Sequence, residues 1–138
     1  MKQIVVIDGQ GGGIGAALVG RLRAALGREA RIIGAGTNSL ATSAMLKAGA
    51  SKGATGENAV CWNAGQAGVI LGPIGIVVAN SLMGEISPAV AAAVSASPAV
   101  RILIPMSSCG TLVAGSTELK LEDALTDAVA LAVREAAR

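Results

Sequence analysis

Short apolar runs alternate along this chain with longer stretches in which apolar residues recur every three or four positions. A near-continuous apolar run over residues 2–7 predicts a strand buried on both faces, and leucines at every fourth position over residues 14–26 predict a helix. The same alternation continues. It predicts strands at 31–35, 68–72 and 100–105, and helices at 40–48, 87–97 and beyond Leu119. We therefore expect one Rossmann-like α/β domain over residues 1–138, with about five strands, a mostly parallel sheet and helices on both faces.

Five segments are less distinct in their patterns. Residues 50–56 are small and polar and are predicted to form a loop, while 57–63 fit a short helix capped at Thr55 better than a strand. Residues 74–82 have helical spacing and are predicted as a buried helix, with a strand as the alternative. A turn at 107–110 and a short fifth strand at 111–114, antiparallel at the sheet edge, complete the prediction.

A glycine-rich stretch joins the first strand to the first helix. Asp8 ends the strand, and the next residues are Gly9, Gln10, Gly11, Gly12, Gly13, Ile14 and Gly15. A glycine turn before a helix lets a ligand approach the backbone N–H groups at the positive end of the helix dipole. The stretch is therefore predicted to bind a phosphate-bearing small molecule, a nucleotide or a dinucleotide. The alternative is that the glycines serve only close packing.

Two glycine patterns fit this stretch. Gly11, Gly13 and Ala16 match the dinucleotide pattern G-x-G-x-x-A. Gly9, Gly13 and Gly15 match G-x-x-x-G-x-G, which resembles the cofactor loop of short-chain dehydrogenases. No Lys-Ser or Lys-Thr follows, so the stretch is not a Walker loop.

Other candidate site residues follow the predicted strands, where ligands bind in such folds. Thr37, Asn38, Asn58, Gly72 and Pro73 are expected near the glycines. Asn38 or Ser39 could instead only cap a helix. The second strand is followed by no acid to hold ribose hydroxyls and by no Arg to hold a 2′-phosphate, which counts against ordinary NAD or NADP binding.

Acid–base chemistry could use few residues. The candidates for a catalytic group are Asp8, Glu57 and Glu85, with Lys52 more distant. Each carboxylate could instead have a structural role, Asp8 by accepting N–H bonds from the turn after it. Arg21 and Arg23 lie off the apolar stripe of the first helix and are expected at the surface.

Composition excludes several kinds of chemistry. Trp62 is the one aromatic residue, and His, Tyr and Phe are absent. A Ser-His-Asp triad and the usual zinc sites therefore cannot form, and no metal site is expected. The Tyr-x-x-x-Lys pair by which short-chain dehydrogenases transfer a proton is also missing.

Charge and hydropathy bear on partners and location. Net charge is +2 with the signs dispersed, so no nucleic-acid partner is expected. The apolar run over residues 69–83 is shorter than a membrane helix requires and contains glycine and proline, so no membrane partner is expected either. Cys61 and Cys109 fit reduced thiols of a cytoplasmic protein. A charged fraction of 14% suggests a surface buried in a homo-oligomer.

Several motifs together resemble a known family. They are residues 8–15, Gly36-Thr37-Asn38, residues 54–59, Gly72-Pro73-Ile74, Asn80-Ser81 and Gly84-Glu85. With them the chain resembles, over nearly all its length, a small bacterial family catalogued as domain of unknown function 3842. The resemblance implies a compact bacterial cytosolic protein and no particular reaction. Three hypotheses follow: a nucleotide- or phosphate-ligand-binding protein, a small enzyme that acts on a phosphorylated metabolite or nucleotide cofactor with a carboxylate as acid or base, and a structural subunit without a ligand.

Overall fold

A computed structural model describes residues 1–105 and 110–138. Within these residues the chain forms five strands, five α-helices and one short 3₁₀ helix. In chain order they are β1 (Ile4–Asp8), α1 (Gly13–Leu26), β2 (Ile32–Gly36), α2 (Ser39–Ala48), β3 (Lys52–Thr55), α3 (Glu57–Gln66), β4 (Val69–Pro73), the 3₁₀ helix (Ile74–Val77), α4 (Pro88–Ala96), β5 (Val100–Ile104) and α5 (Leu121–Ala136).

The five strands form one parallel sheet in the order β3-β2-β1-β4-β5. β1 lies in the centre, where Ile4 pairs with Ile32 of β2 and with Val69 of β4. Every residue of β1 is buried, as its continuous apolar sequence predicts for a central parallel strand. The single Rossmann-like α/β domain expected from the sequence is confirmed.

Helices cover both faces of the sheet and bury two apolar clusters. On one face Leu18 and Leu22 of α1 pack with Met45 of α2 and with the apolar side of α5. On the other face Val60 of α3 and Val90 of α4 pack against the opposite side of the strands. Small side chains let these layers approach closely, and no aromatic residue takes part in either cluster of described residues.

Arg23 lies near the carboxyl end of α1 and bonds to the segments that surround it. Its guanidinium donates to the carbonyls of Gly27 (2.8 Å), Arg28 (3.3 Å), Ala30 (2.7 Å) and Gly49 (3.0 Å), and to Ser51 Oγ (3.0 Å). These bonds join the carboxyl ends of α1 and α2 to the start of β2 and β3. The expectation of a merely solvated Arg23 was wrong.

The segment at residues 50–56 is not only a loop, because residues 52–55 form β3. Gly53 pairs with Gly34 and Ala54 with Ala35 of β2. β3 is largely exposed and carries no large apolar side chain, so the hydrophobic pattern that predicts a strand is absent. Its strand conformation comes from backbone pairing with β2. Thr55 does not cap α3, whose N-cap is Gly56.

The buried helix predicted over residues 74–82 was wrong beyond its first turn. Only Ile74–Val77 is helical, and the helix is of the 3₁₀ type. The Ser81 hydroxyl donates to the carbonyl of Gly75, and the Asn80 N–H donates to the carbonyl of Ile86 at 2.7 Å. These bonds replace a continued i to i−4 ladder and turn the chain back on itself.

The predicted antiparallel strand at residues 111–114 was also wrong, because this segment pairs with no strand in the described part of the chain. A positive φ of 87° at Gly115 turns the backbone immediately after it. The turn predicted at residues 107–110 lies, except for Gly110, outside the described residues, and so does Cys109.

Candidate functional site

The stretch that we call the glycine loop (residues 9–15) begins at the carboxyl end of β1. The strand order reverses between β1 and β4, and in open parallel sheets this reversal leaves a crevice where ligands bind. Asp8 is only 4% exposed and lies beneath the loop. Its two carboxylate oxygens accept N–H bonds from Gly9 (2.8 Å) and Gly15 (2.6 Å). Asp8 therefore holds together the two ends of the loop.

Three glycines of the loop are required by packing. A Cβ atom on Gly9 would lie 2.6 Å from Thr37 Oγ1, and one on Gly15 would lie 2.8 Å from Met45 Sδ. Gly12 has a φ of 72°, and a Cβ there would lie 2.8 Å from the Cα of Ala41. Close contact between β1, α1 and α2 thus explains why these positions hold no side chain.

The two remaining glycines of the loop, Gly11 and Gly13, are not required by packing. A Cβ on Gly11 or on Gly13 would meet no atom within 4 Å, and neither residue has a positive φ. Both residues are exposed. Packing within the described chain therefore does not account for glycine at 11 and 13, whereas a molecule lying against the backbone would.

The amino end of α1 is not capped by a side chain. Its N-cap is Gly12, which has no side chain to offer, and its first turn contains no acidic residue. The N–H groups of Gly11, Gly13 and Ile14 make no hydrogen bond with the described residues. Such N–H groups at the positive end of a helix dipole form a favourable site for an anion.

The segment that follows the 3₁₀ helix crosses over to the glycine loop. We call residues 78–87 the crossing segment. A single oxygen of its Glu85, Oε1, accepts bonds from the Gln10 N–H (2.9 Å), the Thr37 hydroxyl (2.7 Å) and the Asn38 amide (2.8 Å). Leu82 of the same segment packs over Gly9, since a Cβ atom added to Gly9 would lie 3.1 Å from Leu82 Cδ1. Glu85 and Leu82 thus cover the first turn of the loop.

The crossing segment has an unusual backbone. Asn80, Leu82 and Met83 have positive φ angles of 68°, 54° and 56°, and Gly84 follows with 87°. Left-handed conformations are costly for residues with a Cβ and persist where the surrounding structure determines them. Here Ile86 and Ser81 anchor the base, both buried, while Met83 at the tip is 95% exposed. The segment is therefore held in place by its ends and by Glu85.

The two carboxylates of the site have opposite pKa shifts. Burial raises the pKa of Asp8 above its ordinary value, the N–H bonds from Gly15 and Gly9 act against this, and the charge of Glu85 raises it further. The bond from the Thr37 hydroxyl is the largest cause that lowers the pKa of Glu85. Partial burial opposes that shift, and the bonds from Gln10 and Asn38 reinforce it. Glu85 is therefore the acid that stays ionised more readily.

Thr37 and Asn38, predicted as ligand-binding residues, do lie beside the glycine loop. Asn38 is also the N-cap of α2, since its Oδ1 accepts the N–H of Ala41 at 2.9 Å. Its Nδ2 donates to the carbonyl of Gln10 at 3.0 Å as well as to Glu85. The capping role and the position at the site are thus both found, in one side chain whose amide already has partners.

The other predicted residues have contacts of their own outside the glycine loop. Glu57 accepts a bond from Ser87 Oγ at 2.8 Å and so joins α3 to α4. Asn58 lines a groove of about 490 Å³ along β3, together with Lys52 and Trp62. Gly72 and Pro73 are buried in β4, where a Cβ on Gly72 would lie 2.4 Å from the carbonyl oxygen of Ile7. Gly72 therefore serves strand packing.

Sequence reasoning missed the role of Leu82 and the place of Glu85 beside Gln10. Both depend on the turn at Asn80 and Gly84, and the sequence signal for that turn is the pair of turn-forming residues within an otherwise helical apolar pattern. The half-buried Cys61 is a free thiol, and burial followed by the charge of Glu57 raises its pKa. This thiol lies apart from the glycine loop.

The chain matches a known protein family over nearly its whole length. The family described as Domain of unknown function (DUF3842) matches residues 3–137. The protein belongs to this family. No curated protein and no solved structure matches the chain.

Among residues 1–105 and 110–138 no helix combines the length and the apolar character that crossing a membrane requires. Within the same ranges no three His, Cys, Asp or Glu side chains come together as a metal-binding group.

Proposed function

We propose that this DUF3842 protein binds a nucleotide through its phosphate groups at the glycine loop. The observation that carries the proposal is the pair Gly11 and Gly13, two exposed glycines that neither packing nor backbone conformation explains. They lie beside N–H groups that have no partner among the described residues, at the uncapped end of α1. A phosphate lying on this backbone would account for both features.

The charge of the site favours a phosphate diester, as in a dinucleotide, over a terminal phosphate. Asp8 and Glu85 are its acidic groups, and no Lys or Arg of the described chain bonds to either one. A terminal phosphate carries close to two negative charges near pH 7, whereas each phosphate of a pyrophosphate diester carries one. Backbone N–H groups and a helix dipole can bind the smaller charge without a lysine.

Binding is better supported than catalysis. Asp8 is buried, and each of its oxygens accepts a backbone N–H, so it supports the loop and does not face a substrate. Glu57 is bonded to Ser87 and Glu85 to three donors. If the glycines of the loop served packing alone, the presence of glycine at positions 11 and 13 would have no explanation.

A thermal-shift and native mass-spectrometry experiment tests the proposal. Protein is incubated with NAD, ADP or ATP at millimolar concentration, and the expected result is a higher Tm with NAD, since a ligand that binds the native state stabilises it. The Gly13→Val variant should keep the wild-type Tm without nucleotide and lose the shift. Gly20→Ala, in the same helix where a Cβ meets only Ala48 O at 3.9 Å, is the control and should keep the shift. A Gly13→Val protein that binds as wild type would contradict the proposal.

Self-association in the bacterial cytoplasm is part of the same proposal. Leu112 is 81% exposed and Trp62 is 62% exposed, and these apolar side chains are the proposed contacts between copies of the chain. Size-exclusion chromatography with light scattering should give a mass of at least twice the 13.4 kDa of the chain. A monomer at micromolar concentration would contradict this part alone.

A further inference from the structure

Glu85 occupies a place that the sequence leaves without an acid. Dinucleotide-binding folds hold the ribose hydroxyls of the adenosine with an acid at the carboxyl end of β2. In this chain β2 is followed by Thr37, Asn38 and Ser39. The structure brings the Glu85 carboxylate to this point, 2.7 Å from Thr37 Oγ1 and 2.8 Å from Asn38 Nδ2.

The same carboxylate touches the glycine loop. Oε1 of Glu85 accepts the N–H of Gln10 at 2.9 Å, so the acid lies between the loop and the end of β2. A dinucleotide with its pyrophosphate over Gly13 and Ile14 has its adenosine ribose in this direction. Glu85 is 47 positions after Asn38 in the sequence, but the crossing segment brings the Glu85 carboxylate to the Asn38 side chain.

The second oxygen of this carboxylate is available. All three bonds go to Oε1, and Oε2 makes no hydrogen bond with the described residues. The bonds to Oε1 fix the orientation of the group and lower the pKa of Glu85, so the group is ionised near neutral pH. An oriented, ionised carboxylate with a free oxygen can accept hydrogen bonds from hydroxyl groups.

We infer that Glu85 binds the adenosine ribose hydroxyls of a dinucleotide and excludes a ligand that is phosphorylated on the 2′-hydroxyl. The inference rests on the proposed function, since it concerns the same site. A 2′-phosphate would place a doubly charged group against the carboxylate, and like charges in contact cost several kcal/mol. In the described chain no Arg bonds to Glu85, Thr37 or Asn38 in the way that acceptance of a 2′-phosphate requires.

Calorimetric titration with ADP-ribose and with its 2′-phosphate tests the inference on the whole chain. The two probes differ only in the group that Glu85 is expected to reject. Wild-type protein should bind ADP-ribose at least about tenfold more tightly than the 2′-phosphate. The Glu85→Gln variant keeps an acceptor for Gln10, Thr37 and Asn38 but has no charge, and its preference should fall to within about threefold. Glu29→Gln makes the same charge change at the opposite end of the sheet and should behave as wild type.

A measurement on wild-type protein alone covers the case in which Glu85→Gln does not fold. The 2′-deoxy form of ADP-ribose lacks the hydroxyl that Oε2 would bind, and it should bind about three to tenfold more weakly. If ADP-ribose binds but the 2′-phosphate and 2′-deoxy forms bind equally well, the inference is wrong while the proposed function stands. If neither ADP-ribose nor its 2′-phosphate binds, the inference is wrong, and the thermal shifts with ADP and ATP decide separately on the proposed function.

Discussion

The two ends of α1 contrast in how their backbone groups are satisfied. At the carboxyl end, the Gly27 N–H donates to the carbonyl of Arg23, and the Arg23 guanidinium donates to four carbonyls of the following segments and to Ser51. At the amino end, Gly12 is the N-cap, and the N–H groups of Gly13 and Ile14 have no partner among the described residues. The same chain caps α2 with Asn38 and α4 with Ser87. The carboxyl end of α1 therefore serves stability, whereas its amino end has free backbone donors, to which the proposed function assigns a ligand.

Replacing Arg23, near the carboxyl end of α1, should cause the largest loss of stability. Arg23→Ala leaves the half-buried carbonyls of Ala30 and Gly49 without this donor, and we expect a loss of about 2–4 kcal/mol in the free energy of unfolding. Arg23→Lys should recover little of it, because one ammonium group cannot replace the fork of the guanidinium. Urea denaturation measures both.

The matched control for Arg23 is Arg21, two residues earlier on the same helix. The side chain of Arg21 is 34% exposed and bonds to the exposed Glu122 and to Thr126, so Arg21→Ala should cost below about 1 kcal/mol. Nucleotide binding should be unchanged in folded Arg23→Ala and in Arg21→Ala. Equal losses of stability in the two variants would remove the special role of the carboxyl end.

Glycine substitutions separate packing from binding within the loop itself. Gly12→Ala forces a residue with a Cβ into a left-handed conformation 2.8 Å from the backbone of Ala41, and it should destabilise the fold by about 1–3 kcal/mol. Gly13→Ala faces open space and should change stability by less than about 0.5 kcal/mol. Thermal unfolding of the two variants without nucleotide makes the comparison. If Gly13→Ala were as destabilising as Gly12→Ala, the open end of α1 would be a packing feature after all.

Removing the caps of neighbouring helices tests how much the amino end depends on Asn38. Ser87→Ala loses the N-cap of α4 and an exposed bond to Glu57, and it should cost about 1 kcal/mol, most of it from the lost cap. Asn38→Ala loses the cap of α2 and also the bonds to Gln10 and Glu85, so it should cost about 1 kcal/mol more. Chemical denaturation of both variants gives the difference, and equal costs would mean that the bonds to Glu85 and Gln10 contribute nothing.

The parts of the fold that the sequence predicts are those with a strong local pattern. β1, α1 and α5 follow from continuous apolar runs or a regular apolar stripe. β3 does not, since it has small exposed residues and exists because β2 offers it backbone partners. Residues 78–82 have the spacing of a helix, but side-chain and turn hydrogen bonds make a reversal.

The candidate site shows the same division between local and distant information. The glycine loop and the cap at Asn38 are local, and the sequence predicts both. The contact of Glu85 with Gln10 joins residues 75 positions apart, and it depends on left-handed residues in the crossing segment that no periodicity indicates. The sequence therefore identifies Glu85 as a candidate acid without indicating that it lies beside Thr37 and Asn38 at the carboxyl end of β2.

The smallest expected effect is the pH dependence at the amino end of α1, where two acids have opposite shifts. The pKa of Glu85 is lowered in the folded protein, so its contribution to stability is present above the ordinary glutamate pKa and is lost as pH falls through the folded value. The pKa of Asp8 is raised, so stability from this group is greatest below the ordinary aspartate pKa and falls as pH rises through the folded value. Carbon-13 NMR titration of the two carboxyls should show Asp8 above and Glu85 below their ordinary values.

Stability measurements extend this test to the whole fold. The difference in unfolding free energy between wild type and Glu85→Gln should be constant above the ordinary glutamate pKa and should shrink on acidification from about pH 5 to pH 3. If Glu85→Gln tracks the wild type in parallel at every pH, the carboxylate is not held in its ionised form by Gln10, Thr37 and Asn38. Glu85 would then lack the fixed orientation on which recognition of a ribose hydroxyl depends.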